Sequence, residues 1–149
     1  MKTIAALVMG LSLMISFGFH SEEKGSLKIS LSNIKKTGKI KIAVYRKGED
    51  FPDDKLIVKS LEGESTDGKC EFQFESIPFG SYAVAIYQDV NGNGKLDKGM
   101  FGIPSEPFAF SNNFRPKFGG PSFDKCKFDL TKDNLALNIE MINSLFGGD

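Results

Sequence analysis

The sequence lacks tryptophan and has a single histidine, His20, which borders a long apolar run near the N-terminus. Nucleophilic catalysis by serine or cysteine relies on a nearby general base, so the sequence excludes a Ser/His or Cys/His catalytic system. It also lacks an excess of charge of either sign, because 19 lysine and arginine residues balance 19 aspartate and glutamate residues. There is therefore no electrostatic reason to expect binding to nucleic acid or to an anionic membrane.

The longest apolar run, residues 4–19, follows Lys2 and ends before a polar segment at residues 20–23. This order of positive residue, apolar run and polar segment is typical of a secretory signal peptide. The run is shorter than the ~20 residues of a membrane span, although an uncleaved N-terminal anchor is the alternative. We predict a signal peptide over residues 1–20 and a periplasmic or secreted protein without a stable membrane anchor.

Cysteine is scarce, with only Cys70 and Cys126 in the whole chain. In an exported protein an even number of cysteines suggests a disulfide. Such a bridge would stabilise the fold by on the order of 4 kcal/mol through its effect on the unfolded chain. The alternative is two small, buried, apolar side chains on neighbouring strands.

Amphipathic helices are lacking after residue 25, and apolar residues instead alternate with polar ones. Alternation predicts strands with one buried face, and residues 82–88, which have almost no polar face, predict a central strand covered on both sides. We predict a single all-β domain over residues 26–145, an antiparallel β-sandwich of about seven strands. The alternating runs begin at Ser26, Lys39, Leu56, Lys69, Phe123 and Leu135.

The connections between these runs carry turn-forming residues. The first two runs flank residues 35–38 (KKTG), so we predict that they pair as a hairpin. Asp67–Gly68 is a second hairpin signal, and Pro78 with Gly80 predicts a tight corner before the central strand. Residues 123–130 break strict alternation, which predicts a strand with a bulge.

Side-chain oxygens recur at alternate positions directly after the central strand, in DVNGNGKLD (residues 89–97). Positions one, three and five of this run match an EF-hand-type calcium loop, and Gly94 stands at position six, where such a loop turns sharply. Ca²⁺ prefers hard oxygen ligands, and alternate residues of a curled loop converge on one point. The predicted Ca²⁺ ligands are Asp89, Asn91, Asn93, Lys95 (through its backbone carbonyl) and Asp97.

The residues beyond position nine depart from an EF-hand. Met100 stands where the bidentate glutamate belongs, and residues 99–104 (GMFGIP) cannot form the exiting helix. The last ligands must come from elsewhere, and Glu106 and Asp124 are the nearest candidate carboxylates. The alternative is an ion-free, Asx-rich turn that hydrogen-bonds its own backbone.

A long loop rich in glycine, proline and phenylalanine follows the calcium-type loop. Its rings could form an aromatic ligand-binding surface. We favour the other interpretation, in which the loop folds back on the sandwich and the rings form its own core, because a long loop must bury something to be ordered. The rings are those of Phe101, Phe108, Phe110, Phe114, Phe118 and Phe123.

Two sets of motifs resemble known families. IPFGSYAV (residues 77–84) resembles the L-P-x-G-x-Y corner of transthyretin-like and carboxypeptidase-regulatory-like β-sandwiches. YAVAIYQDVNGNGKLD, FGIPSEPFAFSNN and GGPSFDKCKF together resemble an exported bacterial family, domain of unknown function 2141, over residues 26–141. The resemblance implies the fold and export but no established activity. It does not imply a disulfide, since Cys126 falls where a small apolar residue is expected.

These observations together predict an exported, non-catalytic module with a transthyretin-like or immunoglobulin-like sandwich. We expect it to bind a small-molecule ligand or a partner protein, with the Ca²⁺-stabilised loop holding the phenylalanine-rich loop in place. A small hydrolase that uses surface carboxylates is one alternative. A purely structural accessory domain without an ion is the other.

Overall fold

The computed structural model describes residues 22–146, so the signal peptide predicted over residues 1–20 lies outside the described residues. This part of the chain forms eight strands, one short α-helix and three 3₁₀ helices. The helices are α1 (Phe123–Cys126) and the 3₁₀ turns Asp54–Leu56, Met100–Gly102 and Ser111–Asn113. The strands are β1 (Lys24–Ser32), β2 (Lys39–Arg46), β3 (Ile57–Gly63), β4 (Cys70–Pro78), β5 (Gly80–Asp89), β6 (Phe108–Phe110), β7 (Phe128–Leu130) and β8 (Leu135–Glu140).

Two sheets form the predicted all-β sandwich. One has three strands in the order β4-β1-β8, and the other has five, in the order β3-β2-β5-β6 with β7 also paired to β5. The pairing is antiparallel except between β1 and β8, which run parallel. The turn before β8 explains this exception, because Asp133 accepts hydrogen bonds from Ser26 near the start of β1. Strand β8 therefore begins at the same end of the sheet as β1.

The predicted hairpin of the first two runs is wrong, because β1 and β2 lie in different sheets. The apolar face of β1 packs across the sandwich against the face of β2 that carries Ile40, Ile42 and Val44. The Asp67–Gly68 turn forms as a tight turn with both residues at positive φ (53° and 72°), and Thr66 N donates to Lys69 O at 2.8 Å. That turn connects β3 to β4 in the other sheet, so turn chemistry sets the bend but not the strand partners.

The inner core lies between the two sheets and consists mainly of aliphatic side chains. The inward faces predicted by alternation are confirmed: Leu27 and Ile29 of β1 and Ile40 of β2 are fully buried. Burial of such side chains provides most of the driving force for folding. The remaining buried members include Leu31, Ile42, Val44, Phe72, Phe74, Ile77, Val84, Ile86, Leu130, Ile139 and Met141.

A second cluster, here called the outer cluster, covers the opposite face of the five-stranded sheet. The phenylalanine-rich loop folds back on this face, so β5 is covered on both sides as predicted. The favoured interpretation of the loop holds for three of its rings, while Phe114 is only half-buried and Phe101 and Phe118 are exposed. The buried members of the outer cluster are Ala43, Tyr45, Phe51, Ala83, Phe108, Phe110, Phe123, Cys126 and Ile142.

Residues 123–126 form a helical turn, so the predicted bulged strand starts only at Phe128. The backbone N–H groups of Lys125 and Cys126 donate to Ser122 O at 3.2 and 3.3 Å. Residues three apart on a helix share a face, and this spacing places Phe123 and Cys126 together in the outer cluster. Within residues 22–146, no helix is long and apolar enough to cross a membrane.

The structure does not bring the two cysteines together, so the predicted disulfide does not form in this fold. Both are buried free thiols. Cys70 belongs to the inner core and Cys126 to the outer cluster, on opposite faces of the five-stranded sheet. A disulfide requires Cα atoms within about 7 Å of each other. Burial also raises the pKa of the Cys126 thiol to about 11, which keeps it protonated near neutral pH.

Candidate calcium loop and adjoining groove

The calcium-type loop begins where β5 ends, at the buried residue Asp89. The Asp89 carboxylate accepts hydrogen bonds from the backbone N–H groups of Asn93 at 3.1 Å and Gly94 at 2.7 Å. The side-chain oxygens of Asn91 and Asn93 each accept from the backbone N–H two residues further on. Short polar side chains stabilise tight turns by such bonds. Gly94 has φ 81°, which is the sharp turn predicted at position six.

Asp97 closes the loop. Its two carboxylate oxygens accept from the side-chain amides of Asn91 at 2.5 Å and Asn93 at 2.9 Å. Four of the five predicted ligands thus lie in one hydrogen-bonded network, and the fifth, Lys95, joins it through its backbone N–H. These bonds match the Asx-rich turn that was the alternative to an ion site.

Glu106 reaches the loop from the GIPSE segment, as one of the two candidate carboxylates beyond position nine. It is only 6% exposed, and its two oxygens accept from Val90 N at 2.8 Å and Asp97 N at 3.0 Å, one at each end of the loop. The other candidate, Asp124, lies on α1, where an ion pair with Lys127 at 3.0 Å lowers the pKa of its carboxyl. Only Glu106 is therefore positioned to act with the loop.

The carboxylates of the loop serve as hydrogen-bond acceptors in the structure. Within residues 22–146, no three His, Cys, Asp or Glu side chains are grouped so that they could hold a metal ion. Asp89, Asp97 and Glu106 each accept two hydrogen bonds from N–H groups, although a carboxylate has about four acceptor positions. The site has acceptor capacity left, and Ca²⁺ binding stays a prediction.

A groove lies beside this loop on the outer face of the five-stranded sheet, with a cavity volume of about 480 Å³. Its floor is the cross-strand pair Ala43 and Ala85, on neighbouring strands β2 and β5. Leu96 and Pro104 of the long excursion contribute to one wall. The aromatic side chains that line it are Tyr45, Tyr87, Phe108 and Phe110. Because the two floor residues are alanines and their neighbours in the lining are larger, the cavity extends down to the sheet at this point.

The loop is attached directly to the groove. The backbone carbonyl of Gly94 accepts hydrogen bonds from the Tyr87 hydroxyl at 3.1 Å and from Lys41 Nζ at 3.3 Å. Tyr87 and Lys41 both line the groove, so the position of the loop and the shape of the groove are coupled. Burial raises the pKa of Tyr87, whose hydroxyl therefore remains a hydrogen-bond donor.

Charged side chains surround the rim of the groove. Glu62 pairs with Lys39 at 3.2 Å and Lys41 at 3.4 Å, and hydrogen bonds from these lysines lower its pKa. The rim also carries Asp54, Lys95 and Lys98. Sequence reasoning missed the groove, and the one signal was an alanine in the middle of each of two neighbouring strands, Ala43 in β2 and Ala85 in β5.

Comparison with known proteins agrees with the motifs. The family model described as "Uncharacterized protein conserved in bacteria (DUF2141)" matches residues 29–138, which includes the calcium-type loop, Glu106 and most of the strands. No curated protein and no solved structure matches the chain. Because the match covers well over half of the sequence, the chain belongs to the DUF2141 family of bacterial proteins.

Proposed function

We propose that this protein is an exported, non-catalytic module that binds a ligand in the groove on the outer face of the five-stranded sheet. The groove itself carries the proposal, because a concave cavity with an apolar and aromatic lining and a few polar groups at its rim is typical of small-molecule sites. Its volume of about 480 Å³ falls within the range of such sites. The signal peptide predicted over residues 1–20 supports export to the periplasm or the medium.

A neutral fluorescent probe, N-phenyl-1-naphthylamine, tests the groove, because its emission rises when it leaves water for an apolar site. Ala85→Leu places a larger side chain on the floor, and Ala136→Leu, on an exposed position of β8, is the matched control. We expect wild type and the control to bind alike and Ala85→Leu to bind at least about tenfold more weakly, a change of ~1.4 kcal/mol. Equal binding by all three proteins would refute the groove as the binding site.

The proposal includes a Ca²⁺ ion that stabilises the loop from Asp89 to Asp97. Asn93 donates to both Asp89 and Asp97, and Asp97 N donates to Glu106, so the three carboxylates belong to one hydrogen-bonded network. Hard oxygen ligands of this kind suit Ca²⁺. The side-chain amides that donate to Asp97 would compete with a cation, so we expect weak binding, with a Kd of ~10⁻⁴–10⁻³ M.

Thermal unfolding with and without Ca²⁺ tests the ion. At 1 mM Ca²⁺ and a Kd of ~10⁻⁴ M, mass action predicts a stabilisation of about 1.4 kcal/mol. Asp97→Asn should abolish this shift, whereas Asp124→Asn, which changes the other candidate carboxylate, should retain it. An equal shift in Asp97→Asn, or no shift in wild type, would contradict the ion.

A structural accessory domain without an ion is the second candidate function. The observation in its favour is that backbone N–H groups of the loop already donate hydrogen bonds to the loop's own side-chain oxygens. The melts and the probe titration together decide between the two candidates, because this alternative predicts no response to Ca²⁺ and no binding of the neutral probe. No observation on residues 22–146 speaks for the small hydrolase.

A further inference from the structure

The apolar part of the groove lies over the sheet, and its charged part lies beside the calcium-type loop. Ala43 and Ala85 form the floor, with aromatic rings beside them. The segment from Gly94 to Lys98 borders the cavity at the calcium-type loop and brings two lysines to it. A ligand that fills the cavity would therefore place its apolar part on the sheet and have positive charge within reach at the loop.

Lys95 and Lys98 are the unpaired cations of this rim. Within the described residues 22–146, neither ammonium group has a carboxylate partner or a hydrogen-bond acceptor. Lys41 differs, because it contacts both Glu62 and the carbonyl of Gly94. Two positive charges without partners on the same rim favour an anionic group in the ligand.

The Tyr45 hydroxyl is an independent indication. Tyr45 lines the groove and is only 6% exposed, and its ring packs edge-on against Phe51 at 5.2 Å. Its hydroxyl makes no hydrogen bond to any residue from 22 to 146. Burial is the larger cause and the charge of the nearby Asp54 carboxylate the smaller, and together they raise the pKa of Tyr45 to about 12. The hydroxyl is therefore protonated at neutral pH and can donate a hydrogen bond. The Tyr45 oxygen is not among the sealed, partnerless polar atoms of the described residues, so its O–H faces the groove and can donate to an acceptor oxygen of a ligand.

Two carboxylates oppose these cations. Glu62 is engaged by Lys39 and Lys41, which offset its charge. Asp54 lies on the rim next to β3 and would repel an anion there. The lining thus holds three ammonium groups against two carboxylates, and the unpaired positive charge lies on the loop side.

We infer that the groove selects amphipathic anions, meaning small molecules with an aromatic or aliphatic body and one carboxylate or similar acidic group. This inference rests on the proposed function, since it names the chemical class of ligand for the same groove. Lys95 and Lys98 hold the acidic group, and the body lies on Ala43 and Ala85 between the aromatic walls.

Two probes that share the same ring system test the selection. One is 8-anilinonaphthalene-1-sulfonate, an anion, and the other is N-phenyl-1-naphthylamine, which lacks the sulfonate. The double variant Lys95→Ala, Lys98→Ala should weaken binding of the anion about fivefold and leave the neutral probe within about twofold. The control Lys35→Ala, Lys36→Ala, in the exposed connection between β1 and β2, should change neither affinity.

Two single variants refine the assignment. Tyr45→Phe should weaken the anion several-fold more than the neutral probe, because it removes only the hydroxyl. Asp54→Asn should strengthen the anion, because it removes the opposing charge on the rim. Far-ultraviolet circular dichroism and a urea titration of each variant ensure that the probes report on the native protein.

The outcomes separate this inference from the proposed function. If both probes bind equally and the lysine variants do not change the anion's affinity, charge selection is refuted while the groove remains a binding site. If neither probe binds, or if Ala85→Leu leaves both affinities unchanged, the groove itself is refuted. If the anion weakens in the lysine variants and strengthens in Asp54→Asn, the inference is supported.

Discussion

The inner and outer faces of the five-stranded sheet are covered in different ways. The inner face meets a second sheet, and its side chains are mainly aliphatic and almost fully buried. The outer face meets a single excursion of the chain, and its cover is aromatic and incomplete. A sheet is a wide layer that satisfies its own backbone internally, whereas a loop is narrow and needs side chains to satisfy it. The groove is the part of the face that the loop leaves uncovered.

The largest expected effect lies in the inner core, where β4 of the three-stranded sheet packs against the inner face. Phe74→Ala removes a ring that is only 2% exposed in the inner core, and we expect a loss of about 3–5 kcal/mol of unfolding free energy. Phe101→Ala, at a loop tip where the ring is 92% exposed, should change stability by less than about 0.5 kcal/mol. Urea denaturation of both variants measures the difference. Similar losses for the two would mean that the tip is buried in solution.

Two alanines of β5 lie on the outer face, one in its packed part and one in the groove. Ala83 is fully buried in the outer cluster, so Ala83→Leu should overpack it and cost about 1–3 kcal/mol. Ala85, two residues along the same strand and on the same face, lines the groove, so Ala85→Leu should stay within about 0.5 kcal/mol of wild type. Thermal melts of the pair test this contrast, and an equally large loss for Ala85→Leu would show that the groove is closed.

Glu106→Gln tests how the loop is held against the outer face. Glutamine has one acceptor oxygen, so it can no longer accept from both Val90 N and Asp97 N. One partly buried N–H then loses its charged acceptor, and we expect a loss of about 1 kcal/mol. Glu64→Gln, at an exposed position between β3 and β4, is the control and should leave stability unchanged. Urea titrations without added Ca²⁺ measure the contribution of these hydrogen bonds to stability separately from any effect of a bound ion.

The rim of the three-stranded sheet provides a pH test. Hydrogen bonds from the Ser26 hydroxyl, from Ser26 N and from Asn134 N hold the pKa of Asp133 below its ordinary value. A lowered folded-state pKa stabilises the fold above the unfolded-state pKa of ~3.9, and the stabilisation is lost as pH falls through the folded value. Wild-type stability should therefore fall more steeply below about pH 4 than that of Asp133→Asn. Denaturation midpoints at pH 7 and pH 3 measure the slopes, and equal slopes would contradict this role.

The smallest expected effect is the reaction of the two thiols with an alkylating reagent, which should not occur in the native state. Cys70 and Cys126 are buried on opposite faces of the sheet, and burial raises the pKa of both. Neither thiol should react with iodoacetamide at pH 7 until urea unfolds the chain, after which both should react. Mass spectrometry counts the modified thiols. A mass two hydrogens lower, without alkylation after unfolding, would reveal a disulfide.

Local patterns predicted a large share of this molecule. Alternation identified the buried faces of β1, β2, β4 and β8, and the all-apolar run identified β5 as central. The loop from Asp89 to Asp97 was recognised because its hydrogen bonds connect residues close in sequence. Such bonds depend on side-chain type and spacing, which the sequence states directly.

The errors share a different cause. The β1–β2 hairpin and the bulged strand near Phe123 were wrong because alternation records which face of a segment is apolar and not which segment covers it. The disulfide failed for the same reason, since only the topology places a sheet between Cys70 and Cys126.

The sequence by itself determined which face of most strands is buried, where the chain turns and where the oxygen-rich loop lies. These features depend on residue type and on spacing over a few residues. Only the tertiary structure decided which strands pair, where the groove lies and that Glu106 accepts hydrogen bonds from both ends of the loop. The groove is space left between segments far apart in the chain, with Ala43 beside Ala85 and Lys95 at the rim. No local pattern encodes a space, because it depends on how far each distant segment reaches across the sheet.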